Sequence, residues 1–203
     1  MFTDSLKFRQ EADATLVPRN SQPGGNDLQL KGKYVVQHWR NGRRINEFHF
    51  HNDITNEGKN KLFDVHFDAA TAITIWYLSL IDNAGYTALA ATDTYDDINQ
   101  AANGWDEFTA YTDPGNGDSA TTRPSWPADA ASGQSITNSA VVVFDITGTA
   151  TVKGLFLVGG IANANLKDNH EPGGNLWATA LFGSGDVAVQ NGDQLKVTYT
   201  VSA

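Results

Sequence analysis

Apolar and polar residues alternate along several stretches of the chain, and this period of two predicts β-strands. The clearest element is a hairpin in which residues 33–40 lead into Asn41-Gly42 and residues 43–51 lead out. Both central residues of a two-residue turn need a positive φ, which Asn and Gly adopt readily. The sequence therefore predicts an antiparallel pair of strands in this region.

Runs of β-branched and aromatic residues between glycine-rich turns predict more strands in the rest of the chain. Residues 73–81 are almost continuously apolar or β-branched, which is typical of a strand covered on both faces. Residues 86–133 are rich in turn residues and predict loops, with one short helix near residues 94–101. Short strands without strand–helix alternation predict an all-β (minor α) fold, an antiparallel β-sandwich or jelly roll. The further strands are predicted at residues 134–138, 140–146, 151–158, 176–182 and 195–201.

One helix is predicted directly after the hairpin. Thr55 is the expected N-cap, because its side chain can accept a hydrogen bond from a free amide of the first turn. Residues 56–67 follow, with Leu62 and His66 at the spacing of one helix face. Gly58 weakens the prediction, because glycine costs about 1 kcal/mol relative to alanine inside a helix.

Residues 1–30 differ from the rest and predict an extended N-terminal arm, followed by a single domain over residues 31–203. Apolar residues in the arm are sparse and aperiodic, and Pro18, Pro23 and a Gly-Gly pair break any regular element. Two interpretations stay open: a free tail, or an arm that orders against a neighbouring subunit. The second predicts a partner interface of isolated apolar and basic residues in the arm and the nearby hairpin. These residues are Phe2, Leu6, Phe8, Arg9, Leu16, Arg40, Arg43 and Arg44.

The composition predicts a folded protein whose core needs no cross-links. Of 203 residues, 40% are hydrophobic and 10% aromatic, and there is no cysteine. The lack of cysteine excludes a disulfide scaffold, a thiolate metal site and a cysteine nucleophile, and it fits folding in a reducing cytoplasm. No run approaches the ~18 apolar residues of a membrane span, and residues 1–7 do not resemble a signal peptide, so no membrane contact is expected.

The net charge of −9 is unevenly distributed along the chain. Residues 1–60 carry nine Lys/Arg against seven Asp/Glu, a net of +2, whereas residues 61–203 carry five against sixteen, a net of −11. Phosphate contacts need a basic surface, so the acidic body argues against nucleic acid as a partner. The asymmetry indicates either a solvated acidic surface or a mildly basic N-terminal region that docks on an acidic partner.

Three histidines are candidate zinc ligands. His49 and His51 are two apart on a predicted strand and share a face, and His38 could face them across the hairpin to complete a three-imidazole site. The alternative is a set of solvent-facing histidines without a carboxylate second partner. The sequence therefore predicts no tightly bound metal.

Acidic residues allow two further hypotheses, a calcium site and paired catalytic carboxylates. Calcium ligands could lie at Asp93, Asp96 and Asp97 or at residues 113–118, but neither segment completes the spacing of a calcium loop. With sixteen acids in residues 61–203, chance pairs are expected, and no nucleophile-elbow, phosphate-loop or zinc-protease motif is present. The sequence therefore predicts no enzyme and no cofactor. The carboxylates considered for glycoside chemistry are Asp106, Glu107, Asp145 and Asp186.

Tryptophan supplies the main rival class of function, carbohydrate binding by surface aromatics of a β-sandwich. Trp39, Trp105 and Trp126 are the candidates, and the last two lie in loop-rich sequence where exposure is expected more often. The alternative is that these side chains pack inside the protein, as most tryptophans do.

An ordered series of sequence blocks runs through residues 52–203. The blocks are 54–62 (ITNEGKNKL), 74–83 (TIWYLSLIDN), 104–111 (GWDEFTAY), 123–126 (RPSW), 134–139 (QSITNS), 176–182 (LWATALF) and 190–200 (QNGDQLKVTYT). Together they resemble a family of tailed-bacteriophage virion proteins that are described as structural. The resemblance implies a virion structural protein and provides no catalytic residue to carry over.

Within that family, a capsid decoration (cement) protein is the preferred role. A small acidic β domain with an arm fits a clamp across capsomer joints, and the sequence lacks the repeats expected of a tail fibre. A tail-tube or adaptor protein is the alternative. The expected partners are the major capsid protein and copies of this chain, with a trimer as the guessed homo-oligomer. The expected location is the virion, assembled in the cytoplasm of a bacterial host.

Overall fold

The computed structural model describes residues 29–203, which form twelve strands, one α-helix and two short 3₁₀ turns. The predicted fold class, all-β with minor α, is confirmed. Residues 1–28, most of the predicted arm, lie outside the described residues. Helix α1 is Asn56–Phe67, and the 3₁₀ turns are Tyr95–Asp97 and Pro114–Asn116. Strands β1 to β12 are Lys31–Arg40, Arg43–Ile54, Trp76–Asp82, Glu107–Phe108, Tyr111–Thr112, Ser125–Trp126, Ser135–Thr137, Val142–Ile146, Ala150–Gly159, Asn175–Leu181, Val187–Val189 and Gln194–Ser202.

The predicted hairpin forms strands β1 and β2. Asn41 and Gly42 have φ angles of 50° and 72°, the left-handed values that a two-residue turn requires. The antiparallel register between the two strands continues to Gly32 opposite Asn52. β2 runs on to Ile54, beyond the predicted end of the strand, because its last two residues pair with β10.

The strands form one antiparallel sheet that bends until its two ends nearly meet. Its order is β4-β3-β9-β10-β2-β1-β12-β8-β5, and β6, β7 and β11 add to β3, β12 and β9. The end strands β4 and β5 are joined by only Thr109 and Ala110, and the rings of Phe108 and Tyr111 lie 6.5 Å apart. The antiparallel sheet that the sequence predicted is therefore nearly closed into a barrel.

Apolar side chains fill the inside of this barrel and a second space outside it. The inner core includes Tyr34 stacked on Tyr199, with ring centroids 4.2 Å apart. On the outside, the loops of residues 83–106 and 160–174 cover a smaller core that contains Ile81. β3 is thus buried on both faces, as its continuous apolar sequence predicted.

Helix α1 begins and ends where the sequence predicted. The hydroxyl of Thr55 accepts a hydrogen bond from the amide of Gly58 at 3.0 Å, which is the expected N-cap. A Cβ atom on Gly58 would lie 2.5 Å from the carbonyl oxygen of Trp177, so glycine is needed where the helix crosses β10. Within residues 29–203, no helix has the length and apolar character needed to cross a membrane.

The structure differs from the local predictions at three places. β3 begins at Trp76, because its partner β9 ends opposite that residue at Gly159, and residues 73–75 extend past the partner strand. The helix predicted near residues 94–101 is only a 3₁₀ turn, because Asn99 has a φ of 60° that no α-helix accommodates. Strands β4, β5, β6 and β11 have two or three residues each, too few for alternation to reveal them.

A buried ion pair lies beside the point where the barrel closes. Arg123 donates from Nε and Nη2 to the two carboxylate oxygens of Glu107, at 2.8 and 2.7 Å, and both side chains are fully buried. Its remaining N–H groups donate to Oη of Tyr95 and to the carbonyls of Ala164 and Asn169, so all five guanidinium donors have acceptors. This complete set of partners offsets the cost of removing the charges from water.

Arg123→Met is expected to lower the free energy of unfolding by about 3–5 kcal/mol, because it leaves the Glu107 carboxylate buried without a counter-charge. The control, Arg44→Met, removes an exposed ion pair with Glu47 and is expected to cost less than about 1 kcal/mol. Urea denaturation of both variants and the parent protein measures the difference. Equal losses in the two variants would contradict the special weight given to the buried pair.

Candidate interaction surface

The three histidines considered as zinc ligands lie on opposite faces of the hairpin. His38 lies on the buried face and is 3% exposed, whereas His49 and His51 are exposed on the other face. In the strand register His38 lies opposite Asn46 rather than opposite another histidine. The three-imidazole arrangement is therefore wrong. Among residues 29–203, no three or more His, Asp or Glu side chains are grouped so that they could hold a metal ion.

Asp193 is the partner of both His38 and Arg40 at the base of the hairpin tip. Nε2 of His38 lies 2.8 Å from Oδ2 of Asp193, and the Arg40 guanidinium donates to both carboxylate oxygens at 2.7 Å. The amide of Gln190 donates to the same carboxylate at 2.9 Å. Burial alone would raise the pKa of Asp193, but the hydrogen bonds from Arg40 and His38 outweigh it and hold this pKa well below its usual range. The network ties the hairpin to the turn before β12.

The basic residues predicted for the partner interface differ in whether they already form ion pairs within the chain. Arg40 is bound to Asp193, and Arg44 pairs with Glu47. Of Arg40, Arg43 and Arg44, Arg43 is exposed beside the turn and has no ion-pair partner among residues 29–203, so it is the one of these three most available to a partner. The interface stays a prediction, because its remaining members lie outside the described residues. These members are Phe2, Leu6, Phe8, Arg9 and Leu16.

The acidic segments considered for calcium serve the local structure. The buried carboxylate of Asp93 accepts from Nε1 of Trp105 at 3.0 Å. Asp97 accepts from the amide and the hydroxyl of Thr94 and so closes a capping box at the first 3₁₀ turn. Asp113 is itself the N-cap of the second 3₁₀ turn, where its side chain accepts from the amide of Gly115 at 2.9 Å. Donors of the chain itself therefore occupy these oxygens.

The carboxylates considered for glycoside chemistry have separate partners. Glu107 is fully buried in its ion pair, and Asp186 lies 2.8 Å from Nζ of Lys153 at the surface. Asp145 accepts from a glutamine side chain of β12 at 2.7 Å, and Asp106 is partly exposed beside Glu107. Each of the three partnered acids is thus engaged in a different part of the structure.

Two of the three tryptophans considered for carbohydrate binding are buried, so for these two the packed alternative is the one that the structure shows. Trp105 is 1% exposed in the outer core, and Trp126 is 7% exposed because β6 pairs it with Trp76 of β3. Trp39 is half-buried, and Nζ of Lys196 lies 4.4 Å from its ring centroid. A platform of exposed indole rings is therefore absent from these positions.

An apolar groove of about 400 Å³ lies between α1 and the barrel, and we call it the α1 groove. Leu62 and Val65 form its helix side, and Trp76, Trp126 and Trp177 contribute indole rings from three strands. The rings of Trp76 and Trp177 pack edge to face with centroids 5.9 Å apart. The groove is thus lined mainly by large apolar side chains, of which Trp126 is buried and Trp76 and Trp177 are partly exposed.

Helix α1 leaves two of its four apolar side chains exposed and the other two only half-buried. Gly58 is its one buried residue, and Phe63 and Phe67 are 52% and 79% exposed. Leu30 and Leu62 line both the α1 groove and a smaller hollow beside Phe63, so the apolar surface continues around the helix. Contiguous exposed apolar surface marks contact sites in soluble proteins.

Sequence reasoning missed this surface, although one signal for it is present. Leu62, Phe63, Val65 and Phe67 lie on more than one side of a helix, whereas a helix that buries a single stripe keeps its other sides polar. The indole rings come from strands that are far apart in the sequence, so no local pattern reveals that they meet. The fold had to be known before the groove could be recognised.

Asp193→Asn is expected to lower the free energy of unfolding at neutral pH by about 1.5–3 kcal/mol, the size of a hydrogen bond to a charged group. Because the folded-state pKa of Asp193 is depressed, its contribution is present above the unfolded value near 4 and is lost as the pH falls below it. Unfolding free energies measured from pH 7 to pH 2 should therefore fall less steeply in this variant than in the parent.

The surface variant Asp186→Asn is the control for this pH series, since Asp186 belongs to a partly exposed ion pair with Lys153. It should retain the acid dependence of the parent protein. An equal loss of slope in both variants would contradict the role assigned to Asp193.

Comparison of this chain with models of known protein families, with curated proteins and with solved structures finds no match. The resemblance of residues 52–203 to tailed-phage virion proteins thus stays an expectation from the sequence. The α1 groove and the arginine-bearing hairpin tip are the surfaces from which function can be proposed.

Proposed function

We propose that this chain is a non-enzymatic structural protein of a tailed-phage virion that decorates the capsid as a cement protein. The α1 groove is the observation that carries this proposal. A catalytic site needs polar groups that converge on a reacting atom, whereas this groove is lined mainly by indole and aliphatic side chains. Such a surface supports contact between macromolecules.

The side chains that could take part in acid–base chemistry support the same proposal, because they bind one another and stabilise the fold. The His38 and Asp193 side chains meet inside the structure, and Glu107 and Arg123 form a fully buried ion pair. A general base or nucleophile must instead reach a substrate within hydrogen-bond distance. These four side chains therefore contribute to stability and support a structural role.

The choice of the capsid over the tail rests on the form of the molecule and on the resemblance of residues 52–203. A nearly closed barrel with an apolar groove suits attachment to an existing lattice, and the sequence has no fibrous repeat. The alternative within the virion is a tail-tube or adaptor protein. Carbohydrate binding is less well supported, because Trp105 and Trp126 are buried.

The proposed partners are the major capsid protein and other copies of this chain. Cement proteins that sit on local symmetry axes assemble as closed homo-oligomers, of which a trimer is the proposed form. Residues 1–30 and the hairpin tip around Arg43 are the proposed contact regions, and the tip carries the basic residues that an acidic partner surface would attract.

Mass spectrometry of separated heads and tails from virions of the encoding phage tests the location. We expect the protein in the head fraction in many copies, and we expect cryo-electron microscopy to show its barrel on the outer capsid surface. Presence in the tail fraction alone would replace the cement role by the tail-adaptor alternative. Absence of the protein from purified virions would refute the proposed function.

Deleting residues 1–30 is expected to leave the barrel folded, with little change in the melting temperature at a protein concentration where the parent is monomeric, since all its strands begin at or after Lys31. Attachment to particles and self-association should weaken, because an arm that orders on docking gains its contacts only there. A variant in which residues 2–17 are scrambled keeps length and charge and serves as the control. Unchanged binding of the deletion variant to particles and to itself would contradict the role of the arm.

A further inference from the structure

We propose that the α1 groove receives the N-terminal segment, residues 2–17, of a second copy of this chain. The inference deepens the proposed assembly role and rests on its premise that residues 1–30 are an interaction arm. It does not depend on whether the protein sits on the head or on the tail.

The first argument is that α1 needs a partner to cover its apolar side chains. A 12-residue helix is marginally stable in isolation and depends on packing, yet α1 buries only Gly58. Its N-terminal turn is fixed to β10 by Thr55, whose amide donates to the carbonyl of Trp177 at 3.0 Å. The following residues, including Leu62 and Val65, reach along the groove without covering it. An apolar segment laid into the groove would cover the side of the helix that carries Leu62 and Val65.

The second argument is where the chain outside the described residues attaches. Leu30 lines the α1 groove, so residues 1–28 join the described part of the chain at the rim of this groove. Fully extended, the spacer of residues 18–28 reaches about 36 Å at ~3.3 Å per residue, which approaches the roughly 40 Å diameter expected of a domain of this size. Every copy therefore carries its arm close to its own groove and long enough to reach the groove of a neighbour.

The third argument distinguishes a neighbouring copy from the same chain. Residues 18–27 (PRNSQPGGND) contain no large apolar residue, and Leu28 alone is too small to fill a groove of about 400 Å³. The other apolar residues of the arm before Leu30 lie beyond this spacer, within residues 2–17. A segment that bound the groove of its own chain would need these apolar residues next to Leu30. A polar spacer that contains Pro and Gly instead suits a linker between two subunits.

The chemistry of the segment matches that of the groove. Leu6 and Phe8 are two residues apart and would share one face if bound in extended form. Aromatic side chains pack well on indole rings such as those of Trp76 and Trp177. Lys61 on the helix side of the groove offers a counter-charge to the acidic residues of the segment.

The exchange also defines an assembly. Each chain offers one segment and one groove, so the contact joins two different surfaces and is heterologous. Such contacts close into a ring when the rotation between copies allows it. A cyclic homo-oligomer, such as the proposed trimer, then needs no further interface.

The test uses the full chain with p-benzoylphenylalanine in place of Phe8, a photo-reactive group that keeps the aromatic ring. Equal amounts of light and ¹⁵N-labelled protein are mixed, allowed to re-equilibrate, irradiated over a range of concentrations and digested for mass spectrometry. We expect cross-links to residues that line the groove, such as Val65 and Ile136, in mixed light–heavy peptide pairs. Pairs of one isotope only would place the segment in its own groove and overturn the proposal, as would the absence of groove cross-links at every concentration.

Two matched variants support the assignment. Val65→Glu places a charge in the groove and should weaken self-association about tenfold or more, which corresponds to about 1.4 kcal/mol. Val141→Glu makes the same change at a residue that is 53% exposed outside the groove and should have no effect. Phe8→Ser, which leaves the barrel untouched, should reproduce the loss if Val65→Glu fails to fold. Equal association of all three variants and the parent would refute the exchange, even if the protein is found in the capsid.

Discussion

The buried pair of Glu107 and Arg123 joins parts of the chain that no strand ladder connects. β4 and β5, the two ends of the sheet, have two residues each and so contribute few backbone hydrogen bonds to closure. The hydroxyl of Ser79 donates to the carboxylate of Glu107 and lies 2.8 Å from Oη of Tyr111, so the network reaches both end strands. Nζ of Lys167 donates to carbonyls of the β4–β5 link and its neighbours. Side-chain hydrogen bonds hold the barrel shut where backbone pairing stops.

This arrangement explains why the surface for partners lies where it does. The acidic and basic side chains that close the barrel bind one another inside it, whereas α1 is attached to the outside through its first turn. Gly58 brings the helix backbone against the carbonyl of Trp177, and the rest of the helix then projects over the indole rings. The tight contact at one end of the helix and the uncovered groove at its other end follow from the same crossing geometry.

Local patterns in the sequence predicted local structure well. The Asn41-Gly42 turn, the Thr55 cap and the continuous apolar run of β3 each depend on a few neighbouring residues, and all three are confirmed. The contacts that decide burial depend on distant residues instead. His38 meets a carboxylate 155 positions away, so the sequence alone left it as a candidate metal ligand. Trp126 was a candidate for ligand binding, because its loop-rich surroundings gave no sign of the two-residue strand that contains it.

The pairing of β1 with β12 constrains how the protein is made. Lys31 lies opposite Ser202, so the first strand cannot gain its second neighbour until residues 194–202 have left the ribosome. Contacts of such large sequence separation slow folding, because a long loop must close, with a loss of chain entropy, before these contacts can form. In the meantime the hairpin exposes an unpaired β edge, a template for wrong pairing with other chains. During synthesis, the edge of the nascent β1–β2 hairpin is therefore open to aggregation until β12 pairs with it.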